Sequence, residues 1–289
     1  MIHENILYGY DYDTETNTLI GRLDIENYGF FSTFTLMITS IMEVYKKYGT
    51  TPDRINGTNL LKKLKKNKQI DMYNYFFYTD NSIDINFIET QIPVPYGPND
   101  QYTIYTEDNI KFYKPFFKKY FNPKKNITDK IKFLIENYNI NIDKTVSVIY
   151  RDSDKWIDFG GLNYLSAGPY LKKCKSILGQ NLKIDQVLIQ SENMGVVKTF
   201  SDAFGAKFFW ETSINKCQDE YPPIPEDEEK ILDWSEFYIA SLWICSKCNH
   251  VITYTGNSSF FVYLNRGTTK NLTQELTFTK NHEDFFITN

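Results

Sequence analysis

Between Thr145 and Tyr254, short apolar runs alternate with helix-like stretches, and this alternation limits the possible folds more than any other feature of the chain. "TVSVIY" is β-branched, apolar and bounded by polar loops, which reads as a buried strand. A helix is expected around "YLKKCKSILG", closing at Gly179, and "DQVLIQ" is the next strand. "MGVVKTFSDAFG" then reads as a helix and "AKFFWE" as a short strand. Pro225 opens a long acidic-to-apolar helix, "EDEEKILDWSEFYIASLWICSKC", followed by the strand "HVITY" and a helix-like "FFVYL". Repeated β-α units of this kind predict an α/β fold with a doubly wound, mostly parallel sheet. In such sheets ligands sit off the carboxyl ends of the strands.

The first half is expected to be α/β as well. A strand candidate at "TLIGRLDI" precedes a tight turn at Gly29 and a helix capped by Ser32 or Thr33. Leu36, Ile38, Ile41, Met42 and Tyr45 recur with roughly helical spacing, and Gly49 and Pro52 end the run. Residues 71–126 are crowded with Tyr and Phe around the loop "PVPYGPND"; sugar-stacking loops and ordinary core both fit, and core is preferred. "TDKIKFLIENY" reads as a helix capped by Thr128. The Asn-rich connector after it divides the chain into domains at 1–140 and 141–289.

Composition narrows the function. Hydrophobic residues at 42% and aromatics at 17% are ample for a packed core. A net charge of −4 argues against a nucleic-acid partner. There is no run of about eighteen apolar residues to span a membrane, and no basic-then-apolar start, so a soluble cytoplasmic protein is expected. Cys245 and Cys248 form "CSKC" without a second close pair, since Cys174 and Cys217 stand apart. They read as buried helix cysteines, and no metal site is expected.

Polar clusters stand at three expected strand ends. Arg151, Asp152, Ser153, Asp154 and Lys155 follow the first strand, while Ser191, Glu192 and Asn193 follow the second. Gly256, Asn257, Ser258 and Ser259 follow "HVITY" and open a helix. The first turn of a helix has backbone N–H groups without internal partners, and with the helix dipole these favour an anion such as phosphate. Gly256 lets the backbone approach closely, and the Arg151 fork can bind phosphate oxygens in bidentate fashion. An ordinary turn and a phosphate pocket both remain open on these residues alone.

These segments resemble the fucosyltransferase superfamily. "IYRDSDKW" is similar to its His-x-Arg-Arg-x-Asp-Lys segment, and "YTGNSSFFVYL" to the Asn-Ser-Ser/Thr-Phe motif of the α-1,2 members and the Ser-Ser-Asn/Gln motif of the α-1,6 and peptide-O members. "EFYIASLWICSKCNHVITY" is similar to the helix and strand before that motif, and "VLIQSEN" sits where the family has a strand followed by Ser/Thr-Asp-Asp. The motif's His and second Arg are replaced here by Ile149 and Asp152.

The resemblance implies a GT-B architecture, two Rossmann-like domains facing a cleft. The C-terminal one would bind a nucleotide-sugar donor, GDP-fucose first among candidates, and the N-terminal one a glycan acceptor, with no required cofactor or metal. Carried over, Arg151 would hold the β-phosphate with Lys155 beside it. Asn257 and Ser258 would contact the diphosphate, with Gly256 and Ser259 beside them at the helix start read above, and Ser191 and Glu192 would meet the ribose. Asp233 or Glu236 would meet the guanine edge. By position alone Asp154 and Asp158 are candidates for the general base, a solvated loop or a salt bridge to Lys155 being the alternative. Another nucleotide sugar, or a glycan-binding protein without turnover, are the rival readings.

Overall fold

The computed structural model describes residues 3–6, 9–22, 30–61, 69–85, 106–151, 167–209 and 228–275. Strands β1 (His3–Ile6), β2 (Tyr10–Asp13) and β3 (Thr18–Gly21) form an antiparallel meander. Asp13 sets its second turn by accepting from the backbone of Glu15 at 3.0 Å and from Thr16 Oγ1 at 2.7 Å. Helix α1 (Phe30–Tyr48) then crosses over to β4 (Arg54–Asn56), which lies parallel to β3. Gly49, at φ 67°, stops α1 in the left-handed conformation that glycine tolerates best. The helix starts at Phe30, so Ser32 and Thr33 lie within its first turns and neither is its cap. This first sheet is mixed, because hairpin turns join its early strands, and it departs from the Rossmann-like pattern expected for the first half.

The aromatic middle supplies α2 (Met72–Phe76), the short β5 (Phe77–Tyr78), α3 (Glu107–Tyr120), β6 (Asn122–Pro123) and α4 (Lys125–Asn137). Thr128 does not cap α4: its hydroxyl donates to the Lys125 carbonyl inside the first turn, and the cap position is Lys124. Tyr73, Phe76, Phe77, Tyr113, Phe116, Phe117, Tyr120 and Phe121 are all buried, so these rings are core.

The second half follows the expected alternation. β7 (Thr145–Tyr150), α5 (Gly168–Gln180), β8 (Gln186–Ser191), α6 (Met194–Phe204) and β9 (Lys207–Phe209) succeed one another. Helix α7 (Glu228–Lys247), β10 (His250–Tyr254), α8 (Asn257–Arg266) and β11 (Leu272–Glu275) complete it. The five strands pair in the order β11-β10-β7-β8-β9, every pair parallel. The chain enters at the centre, runs outward through β8 and β9, then returns to the far side of β7 as β10. Because crossovers are right-handed, this reversal puts α5 and α6 on one face and α7 and α8 on the other. The switch point lies between β7 and β10.

Helix α7 packs over β7 and β8, with α4 along its outer side, and α8 is held between α7 and the pair α1 and α3. The contact is aromatic: Phe261 of α8 lies 4.9 Å from Phe31, 5.3 Å from Phe117 and 5.9 Å from Trp243, ring centre to ring centre. Phe30 meets Trp234 at 5.9 Å and Tyr113 meets Phe260 at 5.4 Å. One hydrophobic cluster therefore runs through residues on both sides of the connector near 140. Cys245 and Cys248 are buried at the end of α7, and burial raises both thiols above their ordinary pKa. No described helix is long and apolar enough to cross a membrane.

Candidate active site

The parallel register brings two of the three polar clusters side by side. Tyr150 pairs with Ser191 at the end of β7 and β8, so the next residues, Arg151 and Glu192, leave neighbouring strand ends together. Arg151 Nε stands 3.6 Å from Glu192 Oε1, and each side chain is roughly one-third exposed, 29% and 31%. Ser191 is buried; its hydroxyl accepts from the Asn193 backbone at 3.0 Å, while Asn193 caps α6 through the Val196 N–H at 3.1 Å.

Across the switch point, Gly256 caps α8 without offering a side-chain acceptor to its first turn. Its backbone is extended, at φ 164°, a conformation open to any residue. Space is what requires glycine: a Cβ there would lie 2.6 Å from Cε2 of the Tyr254 ring. Gly256→Ala is therefore expected to lower stability by about 1–3 kcal/mol, read by urea unfolding, because the ring must leave its packed position. Unchanged stability would show that Tyr254 gives way freely.

The side chains of this helix tip are engaged within the protein. Ser258 Oγ is hydrogen-bonded to the Tyr254 hydroxyl, and Ser259 Oγ to Thr253 Oγ1 at 2.6 Å, all four residues being buried. Asn257 is partly exposed and donates its amide to Ser32 Oγ of α1 at 2.8 Å.

Tyr238 of α7 links the two walls. Its hydroxyl is raised above the ordinary pKa by burial first and then by Tyr254. Arg151 and a hydrogen bond with Ser258 pull it down, while Glu192 adds to the rise. The phenol thus feels the charge of the arginine on one side of the switch point and hydrogen-bonds at the helix tip on the other. The sequence carried no signal for Tyr238 or for Tyr254: both read as apolar-face residues of a helix and a strand, although Tyr254 stands only four residues before the Ser258 that its hydroxyl meets.

Other expected site residues lie elsewhere. Asp233 sits on the face of α7 that meets α4 and is paired with Lys130 at 2.5 Å. Glu236 accepts from the Tyr75 hydroxyl at 2.8 Å and from the Asn126 amide at 2.9 Å. Both carboxylates hold α7 to the first half, and a base edge would have to displace these partners. Asp154, Lys155 and Asp158 lie outside the described residues, as do Asp152 and Ser153. Among the described residues no group of three or more His, Cys, Asp or Glu side chains converges as a metal-ligand set would.

No protein-family model matches the chain, and no curated protein matches it in sequence. Among solved structures it is similar to the NodZ alpha-1,6-fucosyltransferase soaked with GDP-fucose, with a TM-score of 0.51 at 11% identity over 82% of this chain and 88% of that one. It is similar also to the same fucosyltransferase co-crystallized with GDP, with a TM-score of 0.50 at 12% identity over the same shares. The chain has an α/β fold, built on a parallel sheet, that is similar to the fold of a fucosyltransferase.

Proposed function

We propose that the protein is a glycosyltransferase that moves a sugar, fucose from GDP-fucose first among candidates, onto a glycan hydroxyl without a metal ion. The observation that carries this reading is positional. Arg151 and the start of α8 flank the topological switch point at the carboxyl ends of β7 and β10, where doubly wound sheets bind nucleotides. The similar structures, crystallised with GDP-fucose and with GDP, support the donor class. In this reading residues 141–289 hold the donor and residues 1–140 face the acceptor in a GT-B arrangement.

The reaction breaks the bond from the sugar anomeric carbon to the β-phosphate oxygen while the acceptor oxygen bonds to that carbon. Negative charge grows on the diphosphate as it departs. Arg151, Lys155 and the backbone N–H groups at the start of α8 oppose it, the preorganised electrostatic stabilisation that dominates many enzymes. Ser191 and Glu192 stand beside Arg151 for the ribose. The acceptor proton passes to a carboxylate in the segment after β7, Asp154 or Asp158. Tyr238 and Tyr254 hold the Ser258 hydroxyl in place and orient the helix tip.

A second reading is favoured by one set of observations. The hydroxyls of Ser258 and Ser259 and the amide of Asn257 are engaged by protein partners, and Arg151 already faces Glu192. A glycan-binding protein with a degenerate donor site would tolerate this. Calorimetry with GDP, UDP and their sugars separates the two. The transferase is expected to bind GDP and to hydrolyse its sugar slowly, with and without chelator. Absence of any nucleotide affinity leaves the binding protein, and strict dependence on Mg²⁺ or Mn²⁺ removes the metal-free mechanism.

A further inference from the structure

Resting on the donor reading, we propose that Glu192 is a built-in competitor of the donor: its carboxylate and a diphosphate claim the same Arg151 guanidinium, and the diphosphate binds by displacing it. The pairing is set by the sheet. Tyr150 and Ser191 are register partners at the last rung of β7 and β8, so Arg151 and Glu192 are the first residues beyond adjoining parallel strands. Such strands run about 4.8 Å apart, and side chains leaving them at one level meet with little reach. Arg151 Nε and Glu192 Oε1 stand 3.6 Å apart. A charge-assisted hydrogen bond is about 2.7–2.9 Å long, so this pair is held by Coulomb attraction and exchanges readily.

The other polar contacts of the site are harder to exchange. Ser258 and Ser259 are buried, with their hydroxyls bonded to those of Tyr254 and Thr253. Asn257 is tied to Ser32 of α1, whose first turn is fixed by the ring contact of Phe31 with Phe261. A ligand that broke these bonds would leave polar groups unpaired inside the fold. Arg151 and Glu192 are each about one-third exposed, so a ligand reaches both.

Ion pairs of this exposure are weak, whereas a diphosphate carries more charge than one carboxylate and can take the guanidinium in bidentate fashion. The exchange therefore favours the diphosphate. Glu192 also has a second place to go. It lies one residue before Asn193, the cap of α6, and the positive end of that helix dipole favours a carboxylate nearby. Leaving Arg151 does not strand the charge. The engaged side chains that suit a degenerate donor site then suit a self-occupied one equally well.

Calorimetry of the full chain with pyrophosphate tests this, because pyrophosphate lacks the ribose that Glu192 meets in the donor reading. Glu192→Gln is expected to bind it about fivefold more tightly than the parent, the upper end for a partly exposed ion pair. Glu192→Asp keeps the charge but draws it back by one methylene, and is expected to show most of that gain. Both variants are expected to keep the parent's urea midpoint. Unchanged or weaker pyrophosphate binding by the Gln variant overturns the proposal. So does an Asp variant that binds as the parent does, since the gain would then be relief of like-charge repulsion alone. Pyrophosphate binding by the variants but not by the parent supports it, as full occupation of Arg151 by Glu192. GDP separates the two failures: a parent that binds GDP keeps the donor reading when the exchange fails. If parent and variants bind neither GDP nor pyrophosphate, both fall.

Discussion

With Arg151 replaced by Ala, donor hydrolysis and sugar transfer are expected to fall about a hundredfold, equivalent to about 3 kcal/mol of barrier. The fold should be unaffected, because the side chain stands partly exposed at the rim of the sheet and its ion pair with Glu192 adds little to stability. Arg151→Lys should recover part of the loss, since a point charge replaces the fork. Single-turnover rates at saturating donor give the cleanest measure, because charge development on the diphosphate is a transition-state event. Near-normal turnover in the Ala variant would remove Arg151 from the mechanism and leave the switch-point assignment without its cation.

The largest effect on stability is expected from Phe261→Ala, a loss of about 3–5 kcal/mol. Phe261 is 4% exposed, and its ring meets Phe31, Phe117 and Trp243 as well as Phe77 and Phe121 at 6.4 and 6.3 Å. Truncation empties the centre of a cluster whose members are held by other elements and cannot all close in. Phe133→Ala supplies the contrast: that ring is 57% exposed on α4, and its loss should stay within about 0.5 kcal/mol. Urea unfolding of the two variants measures the difference, and equal midpoints would mean that the shared core is looser than its geometry.

The second half was legible because periodicity decides it. "TVSVIY" and "HVITY" are too apolar and too β-branched for anything but buried strands, and they are β7 and β10. Strand β11 was not legible: "LTQE" is polar and pairs only because β10 offers an open edge. Helix α3 was hidden by Pro115 within it and by rings that gave no clear stripe. In the site, Arg151 and Asn257 could be placed at strand ends by position alone. The opposite holds for Asp233 and Glu236, since nothing local foretells that Lys130, Tyr75 and Asn126 would reach them from more than a hundred residues away. Side-chain partners across that distance are a property of packing, and one sequence does not encode them in any readable spacing.

The aromatic seam between α8 and the pair α1 and α3 has a mechanical consequence. Returning a fully buried phenylalanine side chain to water costs about 1.5–3 kcal/mol. A jaw-like opening along this seam would wet several rings at once and lies beyond thermal reach. Under the proposed function a donor would have to enter beside Arg151 and the start of α8 with this seam closed.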